Sequence, residues 1–193
     1  MKRCTSHFLP QAGTADNRRA GFTLIEMLTV VSVLGILTAI ALPRIDWQRY
    51  RVNSEIRNVV MALTYAQRLA VSLQHDVVAT VDAPQRRLRI HEDANNNGIV
   101  DVNERVTFYK LEQGITFGRP GVPDLPPPAP TNVLTQIIFR RDGSASSAGV
   151  IYLTTQRSLT DSTTADARAL EIARATGRAV WYSYASGNWV RGK

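Results

Sequence analysis

The feature that most constrains this chain is an apolar run of 21 residues, Phe22 to Leu42, near the start of the sequence. As a helix it would be about 32 Å long, enough to cross a hydrocarbon core of roughly 30 Å. Arg18 and Arg19 precede it, so the positive-inside rule places the preceding segment in the cytoplasm and the rest outside. The run therefore predicts a single-pass membrane helix followed by an exported domain.

Two other interpretations of the run are a plain transmembrane anchor and a cleaved secretory signal. The second is suggested by Ala39-Ile40-Ala41, which has the A-x-A form of a cleavage site. However, the run exceeds the usual apolar length of such signals, and it contains Glu26. A carboxylate in lipid costs on the order of 2.5 kcal/mol or more near a helix centre, so it points to a specific role.

The segment from Arg19 to Glu26, RAGFTLIE, resembles the N-terminus of type IV prepilin-like proteins. In that family a dedicated peptidase cuts after the glycine and methylates the new N-terminus, which implies cleavage after Gly21 and N-methylation of Phe22. Residues 1–21 would then be a leader peptide. Glu26 would pair with the Phe22 amino group of a neighbouring subunit during assembly, and Pro43 matches a helix-kinking proline common in the family.

Residues 43–75 show an amphipathic pattern that continues the helix to about Gln74. The remainder, 76–193, is predicted to be a periplasmic β domain. We therefore expect an α+β, pilin-like fold, in which a long N-terminal helix packs on an antiparallel β domain. Its predicted strands are Val77–Val81, Leu88–Ile90, Val106–Leu111, Ile115–Phe117, Ile137–Arg140, Val150–Thr154, Ala169–Ile172 and Ala179–Tyr184.

The segment 119–130 holds six of the nine prolines. It cannot form a central strand, and we expect an exposed loop of polyproline type. Its role is predicted to be that of a passive linker, with partner docking as the alternative.

Several short motifs extend the resemblance to the GspH/FimT group of minor pseudopilins and minor pilins. They are Ser54-Glu55, Ala66-Gln67-Arg68, Gly114–Phe117, Phe139–Gly143 and Thr176-Gly177-Arg178.

Residues 93–104 fit the calcium-loop pattern D-x-[DN]-x-[DN]-G-x₅-E at every defined position. The predicted calcium ligands are Asp93, Asn95, Asn97, the Ile99 carbonyl, Asp101 and Glu104. The flanking segments look like strands instead of the helices of an EF-hand. A polar hairpin turn at Asn97-Gly98 is therefore the alternative.

No enzyme site is predicted. His7 lies in the leader, and His75 and His91 have no nucleophile or metal-ligand spacing, so we expect both to be surface residues. The only cysteine, Cys4, is in the leader, so the mature domain would have no disulfide. The formal net charge of +7 falls to +4 without the leader, a weak excess for a nucleic-acid-binding protein.

These features favour a structural role: a minor pseudopilin of a type II secretion system, anchored in the bacterial inner membrane. Its partners would be other pseudopilins and the prepilin peptidase and methyltransferase, and no cofactor beyond calcium is expected. The alternative is a FimT-like minor type IV pilin that assists pilus assembly or DNA uptake. DNA would then contact basic residues interleaved with aromatic ones near the C-terminus, namely Arg174, Arg178, Arg191 and Lys193.

Overall fold

The computed structural model describes residues 21–41 and 47–192, which form two compact units divided after Ile45. The first described unit is the helix α1, Leu24–Ala41. Pro43 and the predicted continuity of one helix through it lie outside the described residues. In the second unit the amphipathic helix α2 spans Trp47–Leu73, which agrees with the predicted end near Gln74.

The C-terminal unit contains two antiparallel sheets. The first has strand order β3-β2-β1-β5, and the second has β4-β6-β7-β8-β9. The strands are β1 Asp76–Asp82, β2 Arg87–Asp93, β3 Val106–Lys110, β4 Ile115–Phe117, β5 Gln136–Phe139, β6 Gly149–Thr155, β7 Arg168–Ile172, β8 Ala179–Ala185 and β9 Asn188–Arg191, with a short helix α3 at Gln156–Asp161. The α+β class and all eight predicted strands are confirmed, whereas α3 and β9 were not predicted.

The main core lies between α2 and the two sheets. The apolar stripe of α2 supplies Val52, Ile56 and Leu63, all at most 1% exposed. Val77 and Ile90 face it from the first sheet. The three- and four-residue spacing of the stripe therefore sets how the helix packs on the β domain.

A second, smaller core covers the opposite face of the five-stranded sheet. All seven residues of β6 are buried, because alternate side chains enter different cores. Ile151 and Leu153 join the main core, and Val150 and Tyr152 join the smaller one.

The proline-rich segment supplies the cover for this smaller core, so the prediction of an exposed loop was wrong in part. It has no regular secondary structure, as expected, but Val122 and Leu125 are only 2% and 3% exposed. Arg119 donates to the Val122 carbonyl at 2.7 Å and lies 5.2 Å from the Tyr152 ring centroid. Two apolar side chains among the prolines thus hold the segment on the sheet.

Candidate functional site

The N-terminal motif is arranged around a helix cap. The Thr23 hydroxyl accepts the Glu26 backbone N–H at 3.2 Å, and the Thr23 carbonyl accepts the Met27 N–H at 3.2 Å. Thr23 therefore fixes where α1 begins. Gly21 and Phe22 precede the helix, and Glu26 lies in its first turn, where the positive end of the helix dipole favours a carboxylate.

The surface of α1 is apolar on every side. Leu24, Ile25 and Val31 are each more than 60% exposed, and Leu34 and Leu37 are more than half exposed. The polar side chains that interrupt this surface bond to the helix itself, with Thr29, Ser32 and Thr38 donating to carbonyls three or four residues earlier. The hydroxyls therefore add few unsatisfied polar groups when the helix is buried in an apolar environment. Within residues 21–41 and 47–192, none of the helices combines the length and apolar character that a membrane crossing requires.

The acidic loop is held together by its own polar side chains. Both carboxylate oxygens of the buried Asp93 accept backbone N–H groups, from Asn97 at 2.9 Å and Gly98 at 2.7 Å. The Asn95 and Asn97 side-chain amides both donate to one oxygen of Asp101, at 2.7 Å and 2.9 Å. The loop therefore curls around the Asp101 carboxylate, which receives the partial positive charge of both amide groups.

Glu104 closes the loop from its C-terminal end. Its two carboxylate oxygens accept the N–H groups of Ala94 and Asp101 at 3.0 Å each. His91 Nε2 lies 2.6 Å from Glu104 Oε2, and the two side chains are only 2% and 4% exposed. The hydrogen bond from the Asp101 N–H lowers the pKa of the Glu104 carboxyl most, and the contact with His91 lowers this pKa further.

The placement of His91 corrects the expectation that it is a surface residue. The alternation of Leu88 and Ile90 puts His91 on the other face of β2, and Glu104 covers that face. His75 is half-buried, with Nδ1 3.0 Å from the Asp76 carbonyl.

The structure brings the predicted calcium ligands Asp93, Asn95, Asn97, Asp101 and Glu104 into one hydrogen-bonded loop. Ile99 is 65% exposed, and its N–H donates to the Asn97 side chain at 2.7 Å. Among the described residues, no three His, Cys, Asp or Glu side chains are grouped so that they could hold a metal ion. A calcium ion would depend on Asn and backbone oxygens as well, and its binding stays a prediction.

The predicted nucleic-acid residues are spread over two elements. Arg174 and Arg178 are exposed in the β7–β8 turn, Arg191 is exposed on β9, and Lys193 lies outside the described residues. The neighbouring aromatic side chains are partly buried: Tyr182, Tyr184 and Trp189 pack against the smaller core, and Trp181 packs against the main core. The Trp189 ring lies 5.1 Å from that of Tyr184, and its N–H donates to the Pro123 carbonyl at 3.1 Å. This packing covers part of each ring, and DNA binding stays a prediction that depends mainly on the arginines.

Three polar residues have structural roles in the domain that the sequence did not predict. Arg168 is fully buried, donates to Asn53 of α2 at 2.7 Å and also bonds the Ala167 carbonyl. Gln67 donates to the carbonyls of Gly143 and Thr176, so one α2 side chain ties together two turns. Glu55 is 7% exposed on α2. A polar residue next to an apolar helical stripe was the available signal for Glu55 and Gln67.

Comparison with known proteins places these features in a family. Residues 16–42 match the prokaryotic N-terminal methylation motif. The chain is 32% identical over 120 residues to the fimbrial protein EcpB of Eikenella corrodens, and the alignment covers 56% of this chain and 74% of that protein.

Two solved structures are similar to this chain. The type IV minor pilin FimU of Pseudomonas aeruginosa is similar with a TM-score of 0.50 and 16% identity, over 74% of this chain and 95% of that one. The minor pseudopilin EpsH of the Vibrio cholerae type 2 secretion system gives a TM-score of 0.46 and 15% identity, over 69% and 97% of the two chains.

The processing motif, the apolar helix and the α+β domain together define a filament-forming class of protein. The chain belongs to the type IV prepilin-like family. Members of this family are structural subunits that assemble with other pilins or pseudopilins, and they are not enzymes.

Proposed function

We propose that the chain is a minor subunit of a type IV pilus, stored in the bacterial inner membrane and then assembled into the filament. The observation that carries the filament role in this proposal is α1, whose apolar side chains are exposed on every face. A helix that is apolar all round is stable in a cell only when it is covered. Lipid around residues 22–42 would cover it before assembly, with the β domain in the periplasm, and neighbouring helices would cover it in the filament.

The N-terminal motif supports the order of events. Cleavage after Gly21 would leave Phe22 as a methylated N-terminus immediately before the Thr23 cap. Glu26 would then lie one helical turn away on the same subunit and could meet the Phe22 amine of the next. Pairing opposite charges in an apolar filament core offsets the cost of burying each, and the pairing sets the axial register between subunits.

The sequence motifs also allow a type II secretion pseudopilin, which was the first expectation. The similarity to EcpB, a fimbrial protein, favours the pilus instead. Both filaments require the same processing and the same helix packing, so the choice between them concerns which machinery the subunit joins.

Processing tests the shared part of the proposal. Mass spectrometry of the full-length protein extracted from its own membranes should give a chain that begins with N-methylated Phe22. Gly21→Leu should accumulate as uncut precursor, because a side chain would obstruct the peptidase site, whereas Ala20→Leu is the matched control. A mature chain beginning near Leu42 would contradict the proposal and indicate ordinary secretion.

Deletion of the gene separates the two filaments. Under the proposal, surface pili recovered by shearing should fall several-fold while the secreted proteins stay unchanged. Loss of secreted proteins with normal piliation would overturn the pilus assignment in favour of the pseudopilus.

A further inference from the structure

A groove of about 660 Å³ runs along the β domain between α2 and β3. Its mouth is apolar and aromatic. Met61 and Tyr65 of α2 are 62% and 43% exposed, and Tyr109 of β3 is 37% exposed. Side chains of this size are usually exposed together where another surface covers them.

One wall of the groove is an open sheet edge. The strand β3 pairs with β2 on one side and, within the described residues, has no strand on its other side. Its sequence, VTFYK, carries charge only at the last position. An edge with free backbone N–H and C=O groups and few charges is a template for adding a strand from another chain.

The groove also contains a carboxylate without a cation. Glu55 lines it and is 7% exposed. Among the described residues, its oxygens accept from two neutral donors at long range, the Asn58 amide at 3.2 Å and the Glu112 N–H at 3.4 Å. In the part of the chain that the structure describes, no Lys, Arg or His lies within salt-bridge distance of it.

The basic residues near Glu55 do not pair with it. Lys110 also lines the groove, but among the described residues it forms no ion pair with Glu55. Arg51, one helical turn away, is already bonded to Glu112 at 2.6 Å and to the Gln113 carbonyl. A buried carboxylate is costly unless it is paired and hydrogen-bonded. The charge of the groove therefore complements a basic side chain, whereas its mouth complements apolar ones.

We propose that this groove binds an extended segment of a neighbouring filament subunit, added as a strand along β3, with a Lys or Arg that pairs with Glu55. Side chains of a strand alternate between its faces. Tyr109 pairs with Leu88, a core residue that packs toward α2, so every second residue of the added strand would face α2. An apolar residue two or four positions from the basic one would then cover Met61 and Tyr65. The inference rests on the proposed role in a filament and adds the chemistry by which the partner is recognised.

Site-specific photo-crosslinking in the native cells tests this surface. The full-length protein carries p-benzoylphenylalanine at Tyr65, or at Val133 as a control that is 51% exposed outside the groove. The Tyr65 probe should crosslink to one extended subunit segment that contains Lys or Arg, as mapped by mass spectrometry. Glu55→Gln should reduce the yield about tenfold or more, because a buried charge pair loses one partner. Asp161→Asn, an exposed carboxylate on α3, should leave it unchanged.

The stability of Glu55→Gln separates a binding role from a structural one. Its melting temperature should match that of the unmodified protein, since no cation within the described chain loses a partner. If the variant melts early, replacing the mapped Lys or Arg of the partner with Glu provides the same test without altering this fold. An unchanged yield in these variants, or a mapped segment without a basic residue, would overturn the inference.

A third probe, at Leu28 of α1, distinguishes this inference from the filament role itself. Crosslinks from Leu28 to other subunits, with none from Tyr65 above the Val133 control, would reject the groove and keep the proposed function. Absence of crosslinks from both Leu28 and Tyr65 would reject the proposed function and the groove together.

Discussion

At the scale of single residues, the ionised Glu104 carboxylate helps to hold the acidic loop together. Backbone N–H groups and His91 stabilise its carboxylate and lower its pKa from the ordinary value of 4.5. The folded protein therefore binds this proton less readily than the unfolded chain does. The resulting stabilisation is present above pH 4.5 and is lost as the pH falls through the lowered pKa.

Glu104→Gln should therefore destabilise the domain at neutral pH and matter progressively less below pH 4.5. Thermal unfolding followed by circular dichroism, from neutral pH to below pH 4.5, measures the difference in melting temperature between the variant and the unmodified protein. Glu112→Gln is the control, because its exposed ion pair with Arg51 contributes little. A difference in melting temperature that stayed constant down to acid pH would show that Glu104 acts through packing instead of charge.

Gly177 is a second residue whose identity the fold requires. Its φ of +60° lies in the left-handed region, and an added Cβ would collide with the Gly143 carbonyl oxygen. Gly187 has a φ of +82° with nothing within 4 Å of an added Cβ. The two glycines share the backbone requirement and differ in the space around them.

Gly187→Ala should cost about 1–2 kcal/mol of unfolding free energy, the usual strain of this conformation. Gly177→Ala should cost clearly more, because the two turns that Gln67 holds must also separate. Urea unfolding of both variants measures the difference. Equal losses of unfolding free energy would mean that the β5–β6 and β7–β8 turns can move apart at no cost, and that their contact does not stabilise the fold.

At the scale of elements, the strands were predictable because apolar alternation and turn residues mark them locally. The segment Ile115–Phe117 was predicted with its observed bounds, and β1 and β8 within one residue at each end. The helix α3 was not, since its six residues depend on the Thr155 cap and on the chain returning to β7. The packing of Val122 and Leu125 also could not be predicted from the local sequence pattern, because the sheet face that they cover belongs to strands distant in sequence.

The same distinction applies to the candidate sites. The calcium-loop spacing was visible in the sequence, and the structure shows its side chains curled into one loop. The burial of His91 against Glu104 arises only from contacts between elements. The same is true of the surroundings of Glu55, which has no cation within salt-bridge distance in the described part of the chain. The position of a titratable residue within a strand does not indicate which other element covers its side chain.

The acidic loop carries the calcium prediction, which thermal unfolding of the full-length protein in detergent can test. Exported modules bind calcium with dissociation constants of roughly 10⁻⁴–10⁻³ M, so millimolar calcium should raise the melting temperature. Magnesium should do less, because it keeps its waters and prefers six-fold geometry. Asp101→Asn should abolish the gain, whereas Asn96→Ser, outside the ligand pattern, should retain it. Equal melting temperatures in calcium and in chelator would leave the loop as a self-bonded turn.

At the scale of the whole molecule, the two units carry different kinds of surface. The β domain with α2 has its own cores and covers most of its apolar side chains, whereas α1 exposes nearly all of its own. The domain encloses its own two cores. Under the proposed function, lipid or neighbouring helices would cover α1.

Glu26→Ala should separate these two environments. Removing an ionised carboxylate, which costs on the order of 2.5 kcal/mol or more near the centre of a membrane helix, should leave the amount in the membrane fraction equal or higher. Recovery in sheared filaments should fall several-fold, because the Phe22 amine of the neighbouring subunit loses its partner. Thr38→Ala is the matched control, since that hydroxyl bonds only to the Leu34 carbonyl of its own helix among the described residues. Quantitative immunoblots of both fractions give the measurement, and normal filament recovery of Glu26→Ala would show that the charge pair is not needed for assembly.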